Sequence, residues 1–455
     1  MRGLITGAAG AVAVTGCVAG LLYLGPGTGR PSADAPAAAP PAATAAAGGA
    51  GGAGGAGGAV EAARERTRAY PDDPTVWAAL GHAEIEAART TLDAARLDAA
   101  GRALRRSLDL DGTDNYAALT GQGLLANARH EFTEGRAHAL RATGMAPDRP
   151  DGYAILADAE IQLGHYPAAR TAVQRMLDLA PASAAYSRAA YDLETNGRPE
   201  DAAIALQRAV DSSATRDERA FAEARLGDLA WSRGAVGRAE KHYRRALDAV
   251  PGHPYAQAGT ARVLAARGRT DEAMAAYERL LDRTPLPQFL LEAVELRRSA
   301  DGGREGSGSG SESGSDSGSD SGSGGERAAL DAQVRLSRAD GGPVDPHVAL
   351  YAADHGDPAV AVELMRREWK HTRGVIAADA LAWALHRDGR NAEAMEYARR
   401  ASATGWKNAL FRYHLGAIEH ALGLPGATGH LREALALNPR FSPYHAPRAE
   451  ELSRT

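Results

Sequence analysis

Proline recurs in this chain at a fixed distance and in a fixed setting. Pro147 and Pro181 are 34 residues apart, as are Pro251 and Pro285, and each closes the same kind of segment. Met176-Leu177-Asp178-Leu179-Ala180-Pro181, Ala246-Leu247-Asp248-Ala249-Val250-Pro251 and Leu280-Leu281-Asp282-Arg283-Thr284-Pro285 are three copies, and Ala434-Leu435-Ala436-Leu437-Asn438-Pro439 is a distal one. A period of this length marks stacked supersecondary units, each too small to bury its apolar face alone.

Within a unit the apolar spacing is helical throughout. Leu226-Gly227 is followed by Trp231, Gly234-Ala235, Ala239, Tyr243, Ala246-Leu247 and Pro251. Intervals of three and four put these residues on one face of each of two helices. Gly164, Gly197, Gly234, Gly268, Gly389 and Gly423 sit where the first helix of a unit should end, a position that favours positive φ. Gly227, Ala239 and Ala246 are small where two antiparallel helices would touch, and larger side chains there would overpack the crossing. The proline stops the second helix before the next unit begins. Aromatics are 5% of the 455 residues, so the cores rest on Leu, Val and Ala.

This order of aromatic, Leu-Gly, small, aromatic, small and Pro resembles the tetratricopeptide repeat family. The resemblance implies an all-α fold, an α-solenoid of stacked helix-turn-helix units forming a right-handed superhelix. The units run roughly over 74 to 114, 116 to 149, 150 to 182, 183 to 216, 220 to 253 and 254 to 287, then 342 to 374, 375 to 408 and 409 to 441. Extra residues before Ala100 lengthen the first unit around Thr90-Thr91. A further unit is split by a linker, with Leu290 to Arg298 in its first helix and Ala328 to Leu336 in its second.

The expected organisation has five parts. Residues 1–25 are a signal peptide or single-span anchor, 26–59 a disordered Pro/Ala/Gly tether, and 60–300 an N-terminal repeat array. Residues 301–325 are a disordered acidic Gly/Ser linker and 326–455 a C-terminal array. The linker's expected root-mean-square span is about 25 to 30 Å. It reads either as an insertion within one continuous solenoid or as a hinge between two separately moving arrays.

After Arg2, Gly3 to Gly25 is an uncharged run that includes Leu4, Ile5, Val12, Val14, Val18, Leu21, Leu22 and Leu24. As a helix it is long enough to cross a hydrocarbon core, and Arg2 favours the cytoplasmic side. Three readings stand: a retained anchor, a signal peptide cut near Ala33-Asp34-Ala35, or a lipoprotein acylated at Cys17, since Val14-Thr15-Gly16-Cys17 resembles the bacterial lipobox. All three place the rest of the chain outside the cytoplasm, anchored to the cell membrane or secreted. The arginine-rich, lysine-poor and Ala/Gly-rich composition looks like that of a GC-rich bacterial genome.

Composition and motifs also narrow the chemistry. A net charge of −5 argues against nucleic acid as the partner. One cysteine leaves no internal disulfide framework, no phosphate-cradling Gly-x-x-x-x-Gly-Lys loop is present, and the histidines show no metal-ligand spacing. The chain is therefore read as non-catalytic, with no cofactor and no metal site.

In the family the first helix of each unit lines a concave groove. Superposing the units puts Asp158, Asp192 and Asp228 at one groove-facing position in successive repeats, with Arg262 there in the next unit and Trp383 in the distal array. The expectation is an acidic stripe that would hold a basic protein or peptide segment, with Trp231, Asn127 and Arg188 as neighbours; the alternative is a set of solvated surface charges. Chaperone-binding members of the family hold a carboxylate with a Lys/Asn/Lys/Arg set. Thr120, Leu124, Ala154, Asp158, Arg188 and Asp192 occupy those positions here, so that activity is not implied. The leading function is an adaptor or scaffold for protein partners. The alternatives are a structural spacer or self-assembling subunit at the cell surface, and an enzyme whose site these motifs do not reveal.

Overall fold

The structure, a computed structural model, describes residues 53–91, 93, 95–305 and 324–454. Among the described residues it holds 22 helices and no β-strand. A leading helix, Ala53–Ala69, packs on the first of ten antiparallel helix pairs. The proximal pairs run from Pro74–Thr91 with Ala95–Leu110 through Pro150–Gln162 with Tyr166–Leu179 to Pro254–Ala266 with Thr270–Leu281. The distal pairs are Pro346–His355 with Pro358–Glu368, Val375–Arg387 with Asn391–Ser402, and Ala409–Ala421 with Ala427–Leu437, and a short helix, Ala446–Leu452, covers the end. Each pair packs on its sequence neighbours, which makes the chain an α-solenoid.

The pairs close tightly because one partner is small at the crossing. A Cβ on Gly227 would lie 2.4 Å from the Tyr243 ring, and one on Gly259 of the next unit would lie 2.3 Å from it. Tyr243 is thus held between backbones of two successive units, fully buried. Asn115, Asp345, Asp357 and Asn408 cap first-turn amides, and Thr215 with Glu218 forms a reciprocal capping box.

The glycines between paired helices adopt left-handed backbone, with φ of +75° at Gly164, +73° at Gly197, +66° at Gly234 and +77° at Gly389. At Gly164 the turn returns the next amide to the helix end, His165 N–H donating to the Glu160 carbonyl at 2.8 Å. The second pair makes the same turn without glycine: His130 holds φ +59°, and Glu131 N–H donates to the Ala126 carbonyl at 2.8 Å.

Two expected boundaries move. Residues 53–59, assigned to the tether, form the start of the helix Ala53–Ala69, because burial of Val60 and Ala63 against the first pair anchors a helix that then propagates backwards. The expected linker is shorter, since Pro287–Glu305 and Gly325–Asp340 extend into it from both sides. These two helices pack together, with Leu290, Leu291, Val294 and Leu330 in one apolar cluster and Arg297 3.1 Å from Glu326. The cluster continues to Tyr351 of the next pair, so the solenoid runs unbroken from the proximal to the distal units. No helix among the described residues is long and apolar enough to cross a membrane. The expected export segment, Cys17, the first part of the expected tether and the centre of the expected linker lie outside the described residues.

The coil brings the distal units back against the proximal ones. The turn of one proximal pair meets the connection between two distal pairs, and this repeats unit by unit along a seam. Arg373 N–H and Thr372 Oγ1 both donate to the Gln162 carbonyl, at 2.7 Å each, and Val375 N–H donates to the Tyr166 hydroxyl at 2.9 Å. One unit further on, a Cβ on Gly197 would lie 2.6 Å from the Gly405 carbonyl oxygen, while Trp406 packs edge-on to Tyr191. In the next unit Asn438 Nδ2 donates to the Trp231 carbonyl at 2.8 Å. His130, buried in the second pair, holds Glu368 at 3.1 Å and so begins the same seam.

Candidate functional site

Asp158, Asp192 and Asp228, expected to form an acidic stripe on the first helices of the proximal units, are each paired. Asp158 accepts two hydrogen bonds from Arg188 of the next unit, at 2.8 and 2.7 Å, and both side chains are buried. Burial still pushes the Asp158 carboxyl above its ordinary range, against the pull of Arg188. Asp192 accepts from Arg170 at 2.8 Å and from Asn196. Asp228 accepts from the Tyr243 hydroxyl at 2.8 Å and from Arg262 at 3.2 Å, with Arg225 at 3.4 Å. Arg262 also lies 3.5 Å from Glu292, and Arg225 is 3.0 Å from Glu194.

The expected bare acidic stripe is therefore a ladder of alternating charge between units. The reason is the position itself: a residue facing its counterpart in the next helix is partly desolvated, and a carboxylate there needs a cation within reach. Asn127 is likewise turned inward, its Nδ2 donating to the Ile155 carbonyl of the next unit. Trp231 packs with Ala220, Tyr243 and Val263 and reaches the seam only through its carbonyl.

Trp383 is in the distal core, not lining a groove. Its indole stacks on His414 with ring centroids 4.1 Å apart, and its Nε1 donates to Asp354 at 2.9 Å. His414 in turn holds Asp379 at 2.8 Å.

A second cluster joins the arrays and gave no sequence signal. Ser442 Oγ donates to Glu295 at 2.9 Å, and His445 lies 3.7 Å from Glu295 and 3.4 Å from Asp354, which also pairs with Arg387 at 3.1 Å. Burial pushes the Glu295 carboxyl up to about 6. Burial would depress His445, but Asp354 and Glu295 outweigh it and hold the imidazole above its ordinary value. Burial would likewise raise Asp354, yet its bonds to His445 and its neighbour Arg387 keep it low.

One rung of the ladder has several charged groups in contact with solvent at once. The side chains of Arg225, Asp228, Arg262 and Glu292 are only partly buried. Close by, a cleft of about 190 Å³ lies in the seam, with Pro199, Leu229 and Arg233 on the proximal side and Trp406, Lys407 and Leu437 on the distal side. No group of three or more His, Cys, Asp or Glu placed to hold a metal ion occurs among the described residues.

Residues 156–217 and 224–286 match the profile of the family described as tetratricopeptide repeat, and this supports assigning the repeat to that family. The chain is similar in structure to a thermophilic repeat protein of Thermus thermophilus, at 19% identity over 37% of this chain and 91% of that one, TM-score 0.34. It is similar to human IFIT1, solved as a dimer with m7Gppp-AAAA, at 13% identity over 73% of this chain and 72% of that one, TM-score 0.45. PilW, a type IV pilus biogenesis factor, is similar at 16% identity over 48% of this chain and 94% of that one, TM-score 0.38. No curated protein sequence matches the chain.

Proposed function

We propose that this chain is a non-catalytic scaffold that holds protein or peptide partners outside the cytoplasmic membrane, where its N-terminal apolar segment directs it. The observation that carries the reading is the open rung of the ladder, Arg225, Asp228, Arg262 and Glu292, beside the seam cleft. Here charged groups are held in place by their neighbours yet keep contact with solvent, so a partner meets a pre-organised polar surface and loses little entropy in fixing it. Alternating signs favour a polar segment of mixed charge over a purely basic one, with an apolar side chain entering between Trp406 and Leu229.

The test is crosslinking in intact cells with the full chain, followed by identification of what is held. An Arg225→Ala/Arg262→Ala variant should lose the partner while keeping its helical circular dichroism. Equal recovery by the variant moves binding off this face, and recovery of no partner by the unaltered chain argues against a scaffold.

A further inference from the structure

The seam uses one edge of the solenoid from the proximal units and the opposite edge from the distal units. On one side are the turns inside helix pairs, carrying left-handed Gly164, Gly197 and Gly234. On the other are the connections between pairs, at Arg373, Gly405 and Leu437, whose carbonyl oxygens face those glycines. Each array therefore keeps one edge that the seam leaves over. The distal turns at Gly389 and Gly423 have the same left-handed backbone, with φ +77° and +66°, and a Cβ on either would meet no atom within 4 Å. The proximal connections, such as those after Ala69 and Met145, form the other leftover edge.

Both leftover edges expose large apolar side chains. Leu422 and Leu424 flank the Gly423 turn, each 36% exposed, while Tyr70 and Met145 stand on the proximal connections at 62% and 37%. They are four of the six large apolar residues exposed among the described ones.

We infer that the leftover distal turns of one molecule receive the leftover proximal connections of a second copy, continuing between molecules the seam that each molecule makes within itself. The two surfaces are different, so the contact is head-to-tail; because they lie on opposite edges of the coil, it adds copies along the superhelix axis. The short helix Ala446–Leu452 covers the last pair, so growth by stacking unit on unit past the C-terminal end is blocked and the edges carry the contact. In the register of the internal seam, one turn to each connection, Leu422 and Leu424 at the Gly423 turn meet Met145, and Tyr70 meets the turn two units earlier at Gly356. Left-handed Gly389 and Gly423 again face connection carbonyls.

The test is sedimentation velocity of the full chain over a concentration series, with two edge variants. The unaltered chain should grow with concentration beyond a dimer. Leu422→Glu/Leu424→Glu alone and Tyr70→Glu/Met145→Glu alone should each lose that growth. Mixing the two should yield a one-to-one dimer, because each variant keeps the edge the other lacks. A chain that stays monomeric at its highest soluble concentration overturns the proposal. So does growth that persists in both variants, which would point to the N-terminal apolar run, and so does self-association of one variant alone, which would mean that a single patch pairs with itself. All four positions are exposed, and unchanged thermal unfolding of the variants confirms that loss of growth is not loss of fold.

Discussion

The proximal and distal arrays are built on the same unit but join their neighbours differently. In the distal array one apolar cluster runs without a break from Val344 to Ala449, with Trp383 near its middle. In the proximal array the buried apolar residues fall into separate clusters, such as Ala190 with Leu206 and Leu229, or Ala220 with Tyr243 and Val263. The same units carry paired charges, Asp158 with Arg188 and Asp228 with Arg262. At the corresponding distal position an indole stacks on an imidazole. Buried polar contacts occur in both arrays, since His414 with Asp379 joins two distal units. The difference lies instead in the large ring: Trp383 spans neighbouring distal units, and no side chain of that size does so at the proximal position. The distal units should therefore unfold as a block and the proximal ones more nearly in steps.

The largest expected effect comes from Trp383→Ala, which empties a fully buried site and should cost about 4 kcal/mol. Hydrogen exchange should show residues 346–437 losing protection together while 116–232 retain theirs, and simultaneous loss in both arrays would break the contrast. Next is Arg188→Ala, which strands Asp158 in the interior at a cost of about 3 kcal/mol. Denaturant unfolding should show part of this returning on acidification, as the already raised Asp158 carboxyl takes up a proton, and Asp158→Leu/Arg188→Met should return most of it.

A pair of alanine substitutions weighs the seam itself. Gly197→Ala meets both left-handed backbone and the Gly405 carbonyl, whereas Gly268→Ala, at φ +75° with nothing within 4 Å, meets only the backbone. About 2 kcal/mol is expected for the first and about 1 kcal/mol for the second, and equal losses in thermal unfolding would remove the seam contact from the account.

The smallest effect is one of pH. Glu295, raised by burial from 4.5 to about 6, destabilises the folded state as it ionises, and His445, raised above 6.5, gives up its attraction to Asp354 as it loses its proton. Both changes weaken the Ser442–His445 attachment as pH rises, the carboxyl's from about 4.5 to about 6 and the imidazole's from about 6.5 upward. Asp354, held below 3.8, withdraws support only in stronger acid. Exchange protection of residues 438–452 should fall as pH rises through those ranges, and Glu295→Gln should flatten the part belonging to the carboxyl.

The helix pairs and their turns were legible in the sequence because they are local and periodic: Gly164, Gly197 and Gly234 announce left-handed turns wherever they fall in register. His130 was not, since its strained backbone is supported by Glu368, 238 positions away, and no repeat carries that information. The acids expected along the groove each meet a cation from a neighbouring unit, and pairing is a property of two units at once. Asp158 read alone is an acid, and only with Arg188 beside it does it become half of a buried contact. Glu295, Ser442 and His445 belong to different registers altogether, so only the coil brings them together.

The seam also changes how the molecule answers to force. A free solenoid stretches like a loose spring, because its pitch changes with small rotations between neighbouring units. Here the bonds from Thr372 and Arg373 to Gln162 and from Asn438 to Trp231 tie one turn of the spring to the next. Pulled along its axis, the molecule should resist as a stiff rod until those bonds part in succession, and only then lengthen freely.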